Sequence, residues 1–193
     1  GAALSCSGLL FQAVLKNPLA DPGIIGIAGG ASFAAAVVSV IFPALYFSIP
    51  LFAFLGGMAA FAVIYSLSWN GSLNPVRIIL IGIAVSAVFT GLEAVLSGVS
   101  NRTGVSILVS GLTQLVWSDV RVLAVYTAIG LVLAMVLAPA CNLMALEDAT
   151  VRGLGVNIDV LRLIISLAAV LLVSGVTAVV GVVGFLALIV PHI

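Results

Sequence analysis

Five stretches of roughly twenty residues, each about one bilayer span long, are almost free of charge. They run from about Ile24 to Tyr46, Ile49 to Trp69, Arg77 to Leu96, Val122 to Leu143 and Val160 to Val180. A shorter apolar stretch, residues 2 to 15, comes before them and reads as an incomplete span. Hydrocarbon offers no partner to a peptide group, so a spanning segment must be a helix or part of a closed barrel. The alternating pattern of barrel strands is absent. The expected fold is therefore all-α, a polytopic transmembrane helical bundle forming one domain over residues 1 to 193.

Composition excludes the main alternatives. Only 6% of the 193 residues are charged and 64% are hydrophobic, where a soluble domain carries about 25% charged residues. A mean hydropathy of +1.44 is too high for a single water-soluble core. Formal net charge is zero, which argues against a nucleic-acid partner. Cys6 and Cys141 both lie in apolar runs and read as small buried residues, not a disulfide or metal pair. The chain begins at Gly1 inside an apolar run and stops just after Pro191-His192. It reads as a piece of a longer protein, with at least one span before it and more after it.

Turn chemistry divides the spans. Lys16 ends the first, followed by Asn17-Pro18 and Asp21-Pro22-Gly23. Gly26, Gly30 and Ala34 recur every four residues in the second, a small-residue stripe that lets another helix come close. Asn70-Gly71 and Asn74-Pro75 separate the third from the fourth, with Trp69 suited to an interface. Residues 97 to 120 are a more polar connection, with an apolar patch at Val105 to Leu112 that lies on the surface or re-enters. Pro139 is placed to kink the fifth span.

The most polar window is Leu143 to Asn157, LMALEDATVRGLGVN. Asp148 and Arg152 are spaced i,i+4 with the acid first, which favours a helical turn. Leu146, Ala149 or Thr150, and Leu154 would line its other face. Gly153 and Gly155 supply a stop. Asn157 can cap the next helix, with Asp159 in its first turn. A small amphipathic helix outside the membrane follows, either a solvated connector or a docking element for a soluble partner; spacing alone leaves both open.

Loops of a bundle alternate sides. That puts Lys16, Arg77, Arg152 and Arg162 on one side and Arg102 and Arg121 on the other. Positive charge marks the cytoplasmic face, so the polar helix is expected there.

Three separated segments resemble one family. Asn17 to Gly30, NPLADPGIIGIAGG, resembles the NPLA-(D/E)-PG-x-x-G signature of permease subunits in ABC importers for iron-siderophores, haem and cobalamin, the FecCD/BtuC-like permeases. Met144 to Gly155, MALEDATVRGLG, resembles that family's LALG-(D/E)-x-x-A-x-x-LG segment, and Gly184 to His192, GFLALIVPH, its GF-x-GL-(I/V)-(I/V)-PH signature. Their order and spacing match along the whole chain. The resemblance implies ten spans per subunit, of which this chain would hold about six, in a multi-pass protein of the cell (inner or plasma) membrane. It implies a second permease subunit, identical or related, with the pathway between the two. ATPase subunits would dock from the cytoplasm, carrying ATP and Mg, and an extracytoplasmic binding protein would deliver the ligand; no cofactor would be bound by this chain. Residues 144 to 156 would form the coupling helix, with Leu146, Glu147, Asp148, Arg152, Gly153, Leu154 and Gly155 facing or shaping the ATPase contact. The chain departs from the pattern at Glu147 (usually Gly), Val151 (usually Ala) and Ala187 (usually Gly). The first two could change which ATPase fits, and the third could tighten a helix contact.

Further candidates lie outside this segment. Glu93 is the one ionisable side chain well inside an apolar run, a functional candidate because an intramembrane carboxylate is costly. It lies about 24 Å along its helix from Arg77, near the outer interface, where a carboxylate can simply reach water. Gly82, Ser86, Thr90, Glu93 and Ser97 share one face of that helix. Such a face most often packs another helix; in the family the matching span lines the pathway, which makes Gly82, Ser86, Thr90 and Glu93 pathway candidates. In the family, outward arginines help hold acidic patches of the binding protein, so the resemblance makes Arg102 a docking candidate; read by itself it is a solvated surface arginine. His192, the lone histidine, cannot make a metal site by itself and reads as a capped helix start or an interface residue. GIIGIAGG lacks the Lys-Ser/Thr that grips phosphate and Mg²⁺, so energy would come from another chain. An ion-coupled secondary transporter is the alternative. It needs carboxylates or broken helices near the midplane, and only Glu93 comes near that description. An intramembrane enzyme would need a nucleophile with a base, or a metal cluster, at membrane depth.

Overall fold

The computed structural model describes residues 1–23, 25–69, 74–99 and 115–192. Arg102, the patch from Val105 to Leu112 and most of the connection from 97 to 120 lie outside the described residues.

The helices are α1 (Ala2–Leu15), α2 (Ile27–Ile41), α3 (Ile49–Ser68), α4 (Pro75–Val99), α5 (Trp117–Met144), α6 (Asp148–Gly153), α7 (Ile158–Val180) and α8 (Leu186–Ile189), with 3₁₀ turns at Pro43–Ser48 and Val190–His192. Among the described residues, α3, α4, α5 and α7 are long and apolar enough to cross a membrane, while α1 and α2 are shorter apolar helices. The multi-pass helical bundle expected from the apolar runs is thus present. The second apolar run is divided. Its helix ends at Ile41 and 3₁₀ turns carry the chain into α3, because Pro43 has no amide for a helical bond and disfavours the helical conformation of Phe42. α5 begins at Trp117, earlier than the expected Val122, and continues through Pro139.

α7 is the core of the bundle. Two-thirds of its apolar window is buried, against 6% for α5. It packs on α1, α2, α3 and α5. Ser7 of α1 donates to the Ala169 carbonyl at 2.9 Å, in the buried seam between α1 and α7. Close approach between α2 and α3 follows the small-residue stripe. Gly30 lies against the Gly56 carbonyl and Ala60, and Ala34 against Gly56. A side chain at either glycine would push the helices apart, so their contact depends on backbone meeting backbone. α5 instead leaves Val125, Ile129, Val132, Met135 and Val136 exposed. A helix that is apolar on all sides yet open on most of them suits a lipid solvent, or the face of another span.

Candidate functional site: a polar helix held at one end of the bundle

Charged side chains gather at the end of the bundle where α1 stops and α7 starts. α1 finishes at Leu15, and Lys16 takes the left-handed conformation (φ 48°), its amide donating to the Ala13 carbonyl. α7 opens on Asn157, whose side-chain oxygen accepts from the amides of Asp159 (3.1 Å) and Val160 (3.3 Å), the cap expected from the sequence. Between them stands α6. Gly155 (φ 77°) turns the chain after it in the left-handed conformation that favours glycine, while Gly153 is its last helical residue.

α6 has only six residues, too few for a helix to persist in water on its own. Two features hold it. Val151 is fully buried, as are Met144 before it and Ile158 after it, so the helix is plugged into the main apolar core. Asp148, in its first turn, is gripped from two sides. Lys16 Nζ donates to Asp148 Oδ1 at 2.8 Å and also to the Leu146 carbonyl. Arg162 Nη2 donates to Asp148 Oδ2 at 2.9 Å and Oδ1 at 3.1 Å. The row continues from Arg162 to Asp159 at 4.0 Å, and from Asp159 to Arg152, at the other end of α6, at 3.8 Å. Burial works to raise the Asp148 carboxyl, but the hydrogen bonds from Lys16 and Arg162 outweigh it and hold it below the usual carboxylate range.

This arrangement changes the expected internal pairing. Asp148 was expected to pair with Arg152 one turn along. Instead it turns to Lys16 and Arg162, and Arg152 reaches Asp159. An exposed i,i+4 pair contributes little, whereas a nearly buried guanidinium (Arg162 is 1% exposed) strongly favours the nearest carboxylate. The helix is also shorter than the expected Leu146 to Leu154. Leu146 precedes it, Glu147 is its N-cap and Leu154 its C-cap.

Leu146 is 41% exposed and Leu154 62%, with Glu147, Ala149, Thr150, Arg152, Gly153 and Gly155 also exposed. Val151 behaves differently from its expected role. It points into the bundle, so of the two departures thought to affect partner fit only Glu147 is on the free face. The third departure, Ala187, is buried, and its backbone lies against Gly8 of α1. Lys16, Arg152 and Arg162 are joined through Asp148 and Asp159 at one end of the bundle. Arg121 sits at the start of α5, about 35 Å along that helix from Met144.

The face of α4 is divided between two surroundings. Gly82 and Ser86 pack against the turn at Ile25-Gly26, where Gly26 (φ 87°) brings its backbone onto the Gly82 carbonyl and the Ser86 amide. Further along, Thr90 is exposed and donates to the Ser86 carbonyl at 3.0 Å, and Glu93 is half-buried beside Ser32 of α2. Helix packing therefore occupies the first part of this face, and the part from Thr90 onward is more open. His192 closes the 3₁₀ turn Val190–His192, and its Nδ1 is 2.9 Å from the Leu188 carbonyl. Among the described residues, no three His, Cys, Asp or Glu side chains gather to hold a metal.

Sequence reasoning passed over Lys16, Arg162 and Asp159 as site residues. The available signal was Arg162, five residues into an apolar span: an arginine there needs a carboxylate partner.

The FecCD transport family matches residues 1–193. The chain is 40% identical over 193 residues to the "Probable heme-iron transport system permease protein IsdF" of Staphylococcus aureus strain Newman, covering all of this chain and 59% of that protein. The same identity and coverage hold for the protein from strain bovine RF122. The chain thus spans 59% of the length of these curated relatives. Among solved structures, an inward-facing metal-chelate type ABC transporter superposes with a TM-score of 0.86 at 26% identity, over all of this chain and 63% of that one.

Proposed function

The chain belongs to the FecCD transport family, and from that premise we propose that it is the membrane-spanning permease of an ATP-driven ABC importer for an iron chelate such as haem. Its partners would be ATPase subunits carrying ATP and Mg, an extracytoplasmic binding protein, and a second permease subunit of the same or a related kind. It would work as a multi-pass protein of the plasma (inner) membrane, binding no cofactor of its own and catalysing no reaction. The kind of ligand is suggested by the names of its relatives, a heme-iron permease and a metal-chelate transporter.

The observation that carries this reading is the polar helix α6. It is fixed to the bundle by Val151 and Asp148, yet presents Leu146 and Leu154 outward. An exposed apolar pair on a rigid, charged-rimmed helix suits helix-in-groove docking of a soluble subunit. Residues 144 to 156 would then be the coupling helix, with Leu146 and Leu154 as anchors and Glu147 at the rim. Along α4, Thr90 and Glu93 would border the pathway where the face is open, with Gly82 and Ser86 supporting it from their contact with α2.

The test is reconstitution. The permease is placed in proteoliposomes with a candidate ATPase and binding protein, and haem uptake is followed with and without ATP. The reading predicts uptake that requires ATP inside the compartment holding the ATPase. Uptake driven by an ion gradient without ATP would contradict it and favour the ion-coupled alternative.

A further inference from the structure

We propose that Asp148 is the positioning residue of the coupling helix, a joint that ties it to α1 through Lys16 and to α7 through Arg162, so that the helix and these two spans move together. The proposal rests on the permease reading above and deepens it. α6 cannot place itself, since six residues do not sustain a helix alone. Val151 fixes its depth, but one apolar plug leaves rotation about that point open. The two cations remove that freedom. Lys16 is held by the end of α1, whose final carbonyls accept from the amides of Lys16 and Asn17. Its ammonium bonds both the Asp148 carboxylate and the Leu146 carbonyl, so it fixes the chain entering α6 as well as the first turn. Arg162 belongs to α7, the most buried span, and its head group is nearly closed off from water. One carboxylate therefore stands between two cations from two spans. Any displacement of α1 against α7 at this end must carry Asp148 along or break one arm. A push on α6 from the ATPase is delivered to both spans by the same contacts.

Removing the charge leaves Leu146 and Leu154 in place but takes from Lys16 and Arg162 the carboxylate they share, so the tie between the two spans through α6 is cut while Asp159 stays beside Arg162. Asp148→Asn should still retain the ATPase, while the helix no longer transmits its movement. The decisive quantity is haem transported per ATP hydrolysed in proteoliposomes containing the binding protein. This ratio should fall by about 5-fold or more in Asp148→Asn, a shift of the size of ordinary coupling energies. Asp148→Glu, which keeps the charge, should recover most of it. Lys16→Met, at an exposed helix end where folding is not at stake, should lower the ratio as well, and Lys16→Met with Asp148→Asn should be less than multiplicative because both cut the same arm. A purely structural role would reduce the amount of complex, so both rates would fall together and the ratio would stand. An unchanged ratio in Asp148→Asn or, should that variant not assemble, in Lys16→Met, overturns the proposal. Failure of the permease reading is distinguishable, because the parent protein itself would then neither retain the ATPase nor hydrolyse ATP in response to haem-loaded binding protein, and the joint would fall with it.

Discussion

Arg162 and Asp148 are fourteen residues apart in the chain and meet with Nη2 2.9 Å from Oδ2. The contact spans the turn between α6 and α7, so the short helix is fixed by a residue of the span that follows it. It also settles a competition. Arg152 is the closer partner in sequence, but it is exposed and can satisfy itself in water. Arg162 cannot, and takes the carboxylate.

This pairing predicts a pH dependence. Asp148 titrates below its ordinary value in the folded chain, while in an unfolded chain it returns to about 3.9. A carboxyl with a depressed folded value stabilises above its unfolded value, and that contribution is lost as pH falls through the folded value. A fluorophore on Thr150→Cys should therefore report a steady environment from neutral pH down to about 4 and a change only below it. In Asp148→Asn that acid step should be absent. A transition near neutral pH that survives in Asp148→Asn would show that another group controls the helix.

The topology predicts which surface a reagent can reach. In a version lacking Cys6 and Cys141, Thr150→Cys should be shielded from an impermeant thiol reagent on intact cells, and Ser118→Cys, at the opposite end of α5, should react. The reverse pattern would invert the bundle and remove the basis for cytoplasmic docking.

The seam between α2 and α3 predicts a sharp difference among glycines. A Cβ at Gly30 would meet the Gly56 carbonyl at 2.8 Å, and backbone cannot step aside as a side chain can. Gly30→Ala should lower stability by about 1–3 kcal/mol, the usual cost of overpacking. Gly91→Ala, on the exposed face of α4 with open space around it, should be neutral or slightly stabilising, since alanine is the better helix former. Thermal unfolding in detergent distinguishes the two, and equal tolerance would mean that the helices can separate at little cost.

The spans and the polar helix were legible because their signals are local. Long charge-free runs, an Asn cap before Asp159 and glycine after Arg152 each act within a few residues. The stripe Gly26, Gly30, Ala34 foretold a close approach but not its partner, since Gly56 belongs to another helix. Asp148 shows where local reading fails. An i,i+4 spacing proposes Arg152, and only the folded bundle brings Lys16 to the same carboxylate from 132 residues away. Spacing leaves the direction of Val151 open for a related reason. In a helix of six residues an apolar position can face either way, and the core beneath it decides. The α4 face was ambiguous for the same cause, because small polar residues serve packing and pathway alike, and Ile25-Gly26 claims only the part holding Gly82 and Ser86.

If the ATPase docks on the free face of α6, truncating the two exposed leucines there should release it. A buried leucine contributes about 2 kcal/mol and an exposed ion pair under about 1, so the leucines should dominate the contact. Leu146→Ala with Leu154→Ala should leave the bundle folded, as both side chains are already exposed in it. Retention of the ATPase on the purified permease should fall by about tenfold or more, together with ATP hydrolysis stimulated by haem-loaded binding protein. If the double variant retains the ATPase and its stimulated hydrolysis at parent levels, α6 is a passive connector and the docking claim is wrong.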